Sequence, residues 1–373
     1  MEPQPGLSKF PSTRIDPAPK EKKLSLSRLI FAPVLLCSIL LVFAWGCSSD
    51  PASGPTRVTL SVPGFPLYED PPENPLTVEG IELGRRLFYD KILSGDNTQA
   101  CASCHDPAFA FSDPRQFSVG IDGIEGTRNA MALINLAWAR EVFWDGREPS
   151  LEDQARRPVP DEIEMHLPWP EAVAKLQAHP EYPDLFQAAF GSEIVTETAV
   201  VRAIAQFERT LVSNNSRYDK FINQEIGFTT QEIQGFLLFF NETGDCFHCH
   251  NTPLFTDYRF HNNGLDSDFD SGDQGLGDVT GVALDRKKFR TPTLRNVELT
   301  APYMHDGRFE TLEEVVSHYN SGGHFTPTVD PLIRVSVGLG LSEEDEAAIV
   351  AFLKTLTDSS FISNPEFLSP FEE

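Results

Sequence analysis

Positive charge is what this 373-residue sequence most lacks: 30 Lys and Arg stand against 55 Asp and Glu, a formal net charge of −25. Such a field repels phosphate backbones and anionic lipid, which sets aside nucleic acid and acidic membrane surfaces as partners. A cationic protein partner would suit it. Cysteine is also scarce, with six residues, and a chain this long buries enough apolar surface to fold without disulfide staples. No strand signal is convincing, and nothing beyond the N-terminal linker is low in complexity. The 29 prolines and 25 glycines imply much loop.

The first fifty residues read as an address. Lys20, Lys22, Lys23 and Arg28 precede the uncharged run "LIFAPVLLCSILLVFAWG", and Cys47 follows. Gly46 before Cys47 resembles a bacterial lipobox, although Ala44 stands where that motif usually has leucine. A cysteine followed by "SSD" and a Pro-rich tether favours a lipid-anchored start. An uncleaved anchor helix is the alternative, since the run is about long enough to span a bilayer. Either way the rest of the chain lies outside the cytoplasm, on the periplasmic side of a bacterial membrane. Cys37 reads as an inert residue of the apolar segment.

The remaining four cysteines form two copies of one pattern, Cys101-Ala-Ser-Cys104-His105 and Cys246-Phe-His-Cys249-His250. Zinc sites bring two cysteine pairs together, commonly about 12 to 20 residues apart; these pairs are much farther apart. A histidine directly after the second cysteine also suits a tetrahedral metal or a redox CxxC poorly. It suits covalent haem: the thiols add to the two vinyl groups, and the histidine becomes the proximal iron ligand. Such attachment happens outside the cytoplasm, in agreement with export. Two copies in one exported chain point to two haem c groups, and Cys47 is then left for lipid.

Around these motifs the chain reads as mainly α. "TVEGIELGRRLFYD" is an amphipathic helix leading to the first motif, and "TTQEIQGFLLFF" leads likewise to the second. "PWPEAVAKLQAHPEYPDLFQAAFG" and "TETAVVRAIAQFERTLVS" carry apolar residues at helical spacing, with Thr196 as an N-cap. "RNAMALINLAWAREVFWDG" mixes helix and turn, and "LDSDFDSGDQGLGD" is a loop. "LSEEDEAAIVAFLKTLT" closes the chain as a helix capped by Ser342. The expected organisation is a leader over 1–47, a tether over 48–74, and two tandem c-type cytochrome domains over 75–223 and 224–373, one haem in each.

With both motifs in place, the sequence resembles the bacterial di-haem cytochrome c peroxidases and their relatives of the MauG type, from roughly Pro75 onwards. The pieces that carry the resemblance are "CASCHDPAFAFSD", "FSVGIDGIEGTRN", "FWDGREPSLEDQA", "EIEMH" and "TPTLRNVELTAPYMHDGRFETLEEV". It implies that peroxide reacts at the first haem and that the second receives electrons. His105 matches the proximal ligand of the peroxidatic haem. Members that need reductive activation carry a removable histidine in the "SVGIDG" loop; here that position is Ile121, which cannot ligate iron. An open, peroxide-ready iron is the expectation, with His166 as the one substitute ligand and a partly exposed helix-flanking histidine as its plainer reading.

Glu164 matches the acid–base residue that moves a proton between the peroxide oxygens; the upstream "WDGREPSLEDQA" places it ahead of its rival Glu162, and a solvated charge is its plainer reading. Gln154 matches a polar residue that orients peroxide. Trp144 matches a tryptophan between the haems that relays electrons, whereas Trp45, Trp138 and Trp169 read as core fillers. Asn129, with the backbone oxygens of Thr300 and Pro302, matches a calcium site. At the second haem His250 is the proximal ligand, and Tyr319 stands where electron-accepting members place methionine and MauG-type enzymes place tyrosine. Met304 is the rival ligand, and a buried unligated Tyr319 is the plainer reading.

The leading expectation is thus an oxidoreductase that reduces hydrogen peroxide with electrons from a small c-type cytochrome or similar carrier. A MauG-like enzyme that uses peroxide to oxidise Trp or Tyr on a partner protein is the alternative, and a membrane-tethered electron shuttle without peroxide chemistry is the non-enzymatic one. A homodimer is left open.

Overall fold

The chain was described as a computed structural model over residues 54–371; the leader, with Cys37, Trp45 and Cys47, lies outside the described residues. The helices run α1 (Val78–Tyr89), α2 (Leu151–Ala155), α3 (Trp169–Ala178), α4 (Tyr182–Phe190), α5 (Glu197–Thr210), α6 (Arg217–Ile222), α7 (Thr230–Phe239), α8 (Leu276–Thr280), α9 (Leu312–Ser321), α10 (Glu343–Lys354) and α11 (Ser359–Ile362). Among the described residues the one sheet is the pair β1 (Phe260–His261) and β2 (Phe289–Arg290), antiparallel with Phe260 opposite Arg290. The fold is mostly helical, with long loops that carry the chemistry.

Helix starts follow their capping residues. Thr77 accepts from Gly80 N, Thr196 from Ala199 N, and Ser342 from Asp345 N, each satisfying an orphan donor of the first turn. Helix α1 then crosses α5 so closely that a Cβ on Gly84 would lie 1.9 Å from the Ala203 carbonyl oxygen. The second half repeats the crossing: a Cβ on Gly235 of α7 would lie 1.8 Å from the Ala348 oxygen of α10. One turn on, the aromatic pairs correspond too, with Phe88–Phe207 centroids 5.3 Å apart and Phe239–Phe352 centroids 5.0 Å apart. Each such buried ring contributes about 1.5–3 kcal/mol of hydrophobic stabilisation.

The loops repeat as well. Asn135 and Asn296 both sit in the left-handed region, at φ 57 and φ 59. Asn135 N–H donates to the Leu211 carbonyl and its Oδ1 accepts from Ser213 N; Asn296 N–H donates to Leu356 and its Oδ1 accepts from Asp358 N. Each thereby ties the loop after its CxxCH to the end of the crossing helix, α5 or α10. The Asp145–Arg147 and Asp306–Arg308 tips follow, closed by the pairs Val142–Glu148 and Tyr303–Phe309. Ser150 and Thr311 next cap α2 and α9.

Two segments depart from the simple linear layout. The Pro-rich stretch read as a tether runs against the body over its described part: Val58 N–H donates to the Leu76 carbonyl, and Trp138 Nε1–H to that of Pro66. Asn74 is buried there between Glu152 and the Arg202 carbonyl. The C-terminal residues return to the first half, where Phe361 and Phe367 join the core of Phe88, Phe111 and Phe207.

Candidate active site

Both CxxCH motifs form short 3₁₀ turns that follow a crossing helix, Cys101–Ser103 after α1 and Cys246–His248 after α7. The segment after each turn then fixes its histidine. His105 Nδ1 meets the Phe111 carbonyl at 3.2 Å, and His250 Nδ1 meets that of Phe255 at 3.1 Å. Phe111 and Phe255 take the left-handed conformation, φ 60 and φ 53, which turns these carbonyls inward. With Nδ1 held as the donor, Nε2 is the free ligand atom. Burial lowers both imidazoles, His250 to about 4, so each is a neutral donor. None of the four motif cysteines pairs in a disulfide, and burial raises the Cys246 thiol to about 12.

Each motif opens on a cavity. The first, about 820 Å³, has Cys101, Cys104, His105, Gln154 and Glu164 in its walls. Glu164 is held there by the loop paired through Val119 and Glu125, since Ile121 N–H donates to the Glu164 carbonyl at 2.9 Å. Only glycine fits at 120, where a Cβ would lie 2.1 Å from the Ile163 oxygen. Burial above all, aided by Asp161 and opposed by Arg147, lifts the Glu164 carboxyl to about 7. Gln154, on α2, is 5% exposed and its Oε1 has no hydrogen-bond partner. Glu162 is exposed, and the Ile121 side chain packs beside Gly95. His166 is turned out to Asp122, 2.5 Å away and 45% exposed, and takes no part in the cavity wall.

The second cavity, about 240 Å³, is walled by Cys246, Cys249, His250, Met304 and Tyr319. Burial raises the Tyr319 phenol to about 12, with a hydrogen bond from Asn263 opposing. Asn129, Thr300 and Pro302 belong to the same wall. Trp144 borders both cavities, its indole N–H donating to the Asn129 carbonyl at 2.8 Å. Trp169 is buried and Trp138 half-buried, and neither lines either of these two cavities.

A family model described as di-haem cytochrome c peroxidase matches residues 78–226. The methylamine utilization protein MauG of Methylorubrum extorquens is 38% identical over 288 residues, 77% of this chain and 80% of that protein. The cytochrome c551 peroxidase of Nitrosomonas europaea is 34% identical over 308 residues, 82% and 86% of the two. The chain belongs to the di-haem cytochrome c peroxidase family. Among solved structures, a MauG-like protein associated with microbial copper homeostasis superposes with a TM-score of 0.76 at 36% identity, covering 88% of this chain and 99% of that one.

The family implies haem c, and the residues fit it. Each cavity has the two cysteines of its motif and a buried histidine held through Nδ1 in its wall; the first adds several polar and charged side chains, Gln154 and Glu164 among them. Gln154 belongs to the wall of the first cavity, and its Oε1 is buried without a hydrogen-bond partner, an unsatisfied polar group of the kind that marks functional sites.

Two further residues, Glu208 and Asn263, stand at the cavities. Glu208 of α5 is 3% exposed, borders the first cavity, and leaves Oε2 unpartnered; burial lifts its carboxyl to about 8. Its signal was present: Val201, Ile204 and Glu208 share one face of α5, and an acid on a buried stripe is rare. Asn263 had no such signal, because its partners Met304 and Tyr319 are distant in the chain.

Proposed function

We propose that this chain is a di-haem c-type peroxidase that reduces hydrogen peroxide to two waters, taking two electrons from a small cytochrome c or similar carrier and two protons. The observation that carries this reading is that Glu164 and Gln154 line one cavity with His105, while His166 faces outward. When bound, haem iron supplies the redox chemistry by which the O–O bond is cleaved. The chain's own residues do the rest. Glu164, poised near neutrality, takes a proton from one peroxide oxygen and returns it to the other. Gln154 accepts a hydrogen bond from the peroxide and so orients it. Trp144 spans the wall between the cavities, where a relay would stand.

The domain limits 75–223 and 224–373, covalent attachment through both cysteine pairs, and His250 with Tyr319 on the second iron are part of this proposal. Calcium at Asn129, Thr300 and Pro302 is another part; it draws support from their shared wall. A leader ending at Cys47 would put the enzyme on the periplasmic side of the membrane through lipid, and Cys47→Ala should release it or leave the leader uncleaved. The presence of Tyr319 beside Met304 favours one further reading, a MauG-like oxidation of Trp or Tyr on a partner protein.

The test is rapid mixing of the fully ferric protein with peroxide, followed by turnover with a reduced small cytochrome c. An immediate spectral response and catalytic consumption of the cytochrome support the peroxidase. A response without cytochrome turnover points to the partner-oxidising reading, and no response until one electron is added means that the first iron is capped.

A further inference from the structure

One amide serves both rival ligands of the second iron. Asn263 Nδ2 lies 3.3 Å from the Tyr319 hydroxyl and 3.4 Å from the Met304 sulfur. The amide orientation follows from chemistry: a thioether has no proton to give, so the atom facing Met304 is the N–H side. The same group thus donates toward both residues, and all three border the cavity of His250.

The loop that carries Asn263 is held without help from that side chain. The Asn263 carbonyl accepts from His318 Nε2 at 3.1 Å, so consecutive residues of α9 grip its backbone and its amide. Asn262 donates to Thr326 and Thr328 Oγ1, both at 2.9 Å. His261 sits between Asp257 and Asp330, at 2.9 and 2.6 Å. The Gly264 carbonyl accepts from His324 N at 2.7 Å. A loop anchored at every residue from 261 to 264 presents the amide at a set place, which is what a positioning group needs.

We propose that Asn263 selects the sixth ligand of the second iron, favouring Tyr319 over Met304. This rests on the reading above that His250 holds a haem in this cavity. Donation to an oxygen that carries negative charge is roughly twice as strong as donation to a neutral acceptor. Sulfur in a thioether is a weak acceptor. The amide therefore stabilises an iron-bound tyrosine oxygen, which keeps further lone pairs for the metal, more than it stabilises a bound methionine. Asn263 acts through Tyr319 and Met304 and touches no reacting atom, so its role is positional.

The test uses the full-length protein with both haems, read by absorption and EPR of the ferric state. Met304→Leu and Tyr319→Phe supply reference spectra for tyrosine-only and methionine-only ligation. The wild type should match Met304→Leu. Asn263→Leu should move the second centre toward the Tyr319→Phe spectrum, raising the methionine-to-tyrosine ratio about tenfold or more, as expected for losing a hydrogen bond to a charged group. Asn263→Asp, which keeps size and shape but removes the donor, should do the same. Wild-type spectra in both Asn263 variants, with the references distinct, would overturn the selection and leave Tyr319 as ligand. If the two references themselves matched the wild type, the ligand assignment would fall and the selection with it. Loss of the second haem in both Asn263 variants would also overturn it, since the residue would then hold the fold rather than choose a ligand.

Discussion

The Trp144 indole N–H donates to the Asn129 carbonyl at 2.8 Å, and both residues stand in the walls of the two cavities at once. The Trp144 carbonyl in turn accepts from Arg290 N at 2.8 Å, which ties its backbone to β2 in the second half. A tryptophan held by its indole N–H and by its own backbone carbonyl in a shared wall has little freedom to move away from either side.

Trp144→Phe should therefore slow electron passage between the irons and leave the resting spectra of both unchanged. The lost hydrogen bond should lower stability by about 0.5–1.5 kcal/mol. Reducing the second centre and following reoxidation by peroxide at the first would report the rate. An unchanged rate would remove Trp144 from the path.

Glu164→Gln should slow the reaction with peroxide by about 10² to 10⁴, because it removes the proton carrier and no ligand. Haem content should stay at the wild-type level. The carboxyl must be ionised to accept the first proton, and burial puts its midpoint at about 7. The wild-type rate should then rise with pH through that value, and the Gln variant should lose the rise. A flat wild-type profile from acid to neutral pH would put the proton transfer elsewhere.

Much of this was legible in the sequence, for local reasons. Thr196 and Ser342 announce helix starts because a cap acts within three residues. The CxxCH pairs announce where two thiols and a histidine come together, because the three are neighbours in the chain. What was not legible depends on contacts made far along the chain or on unusual backbone. Phe111 and Phe255 occupy a left-handed region that a bulky residue rarely takes, so nothing local betrays the inward carbonyls on which each histidine hangs. Asn263 gains its role only when α9 brings Tyr319 alongside. The tail carrying Phe361 and Phe367 reads as belonging to the second half, yet its rings complete the core around Phe88 and Phe111.

The two crossings predict matched sensitivities. Gly84→Ala would set a methyl 1.9 Å from the Ala203 oxygen, and Gly235→Ala would set one 1.8 Å from the Ala348 oxygen. Backbone cannot yield as a side chain does, so each variant should lose at least about 1–3 kcal/mol by forcing the helices apart. Thermal unfolding measures the loss. A Gly84→Ala protein as stable as wild type would mean that α1 and α5 sit farther apart than this.

Glu208 makes stability depend on pH. Its carboxyl has an ordinary value of 4.5 and a folded value of about 8, raised by burial, with Glu152 adding and Arg209 opposing. Between those values the folded protein keeps a proton that the unfolded chain has released, so stability falls as pH rises. The contribution is full below 4.5 and is lost as pH climbs through 8. Glu208→Gln is neutral in both states and should flatten that decline, leaving the variant closer to wild type in acid and more stable than wild type at alkaline pH. Thermal midpoints of the two holoproteins, taken across this interval, make the comparison. Parallel midpoint-versus-pH curves would mean that Glu208 is ionised in the folded protein and that another group pairs with its Oε2.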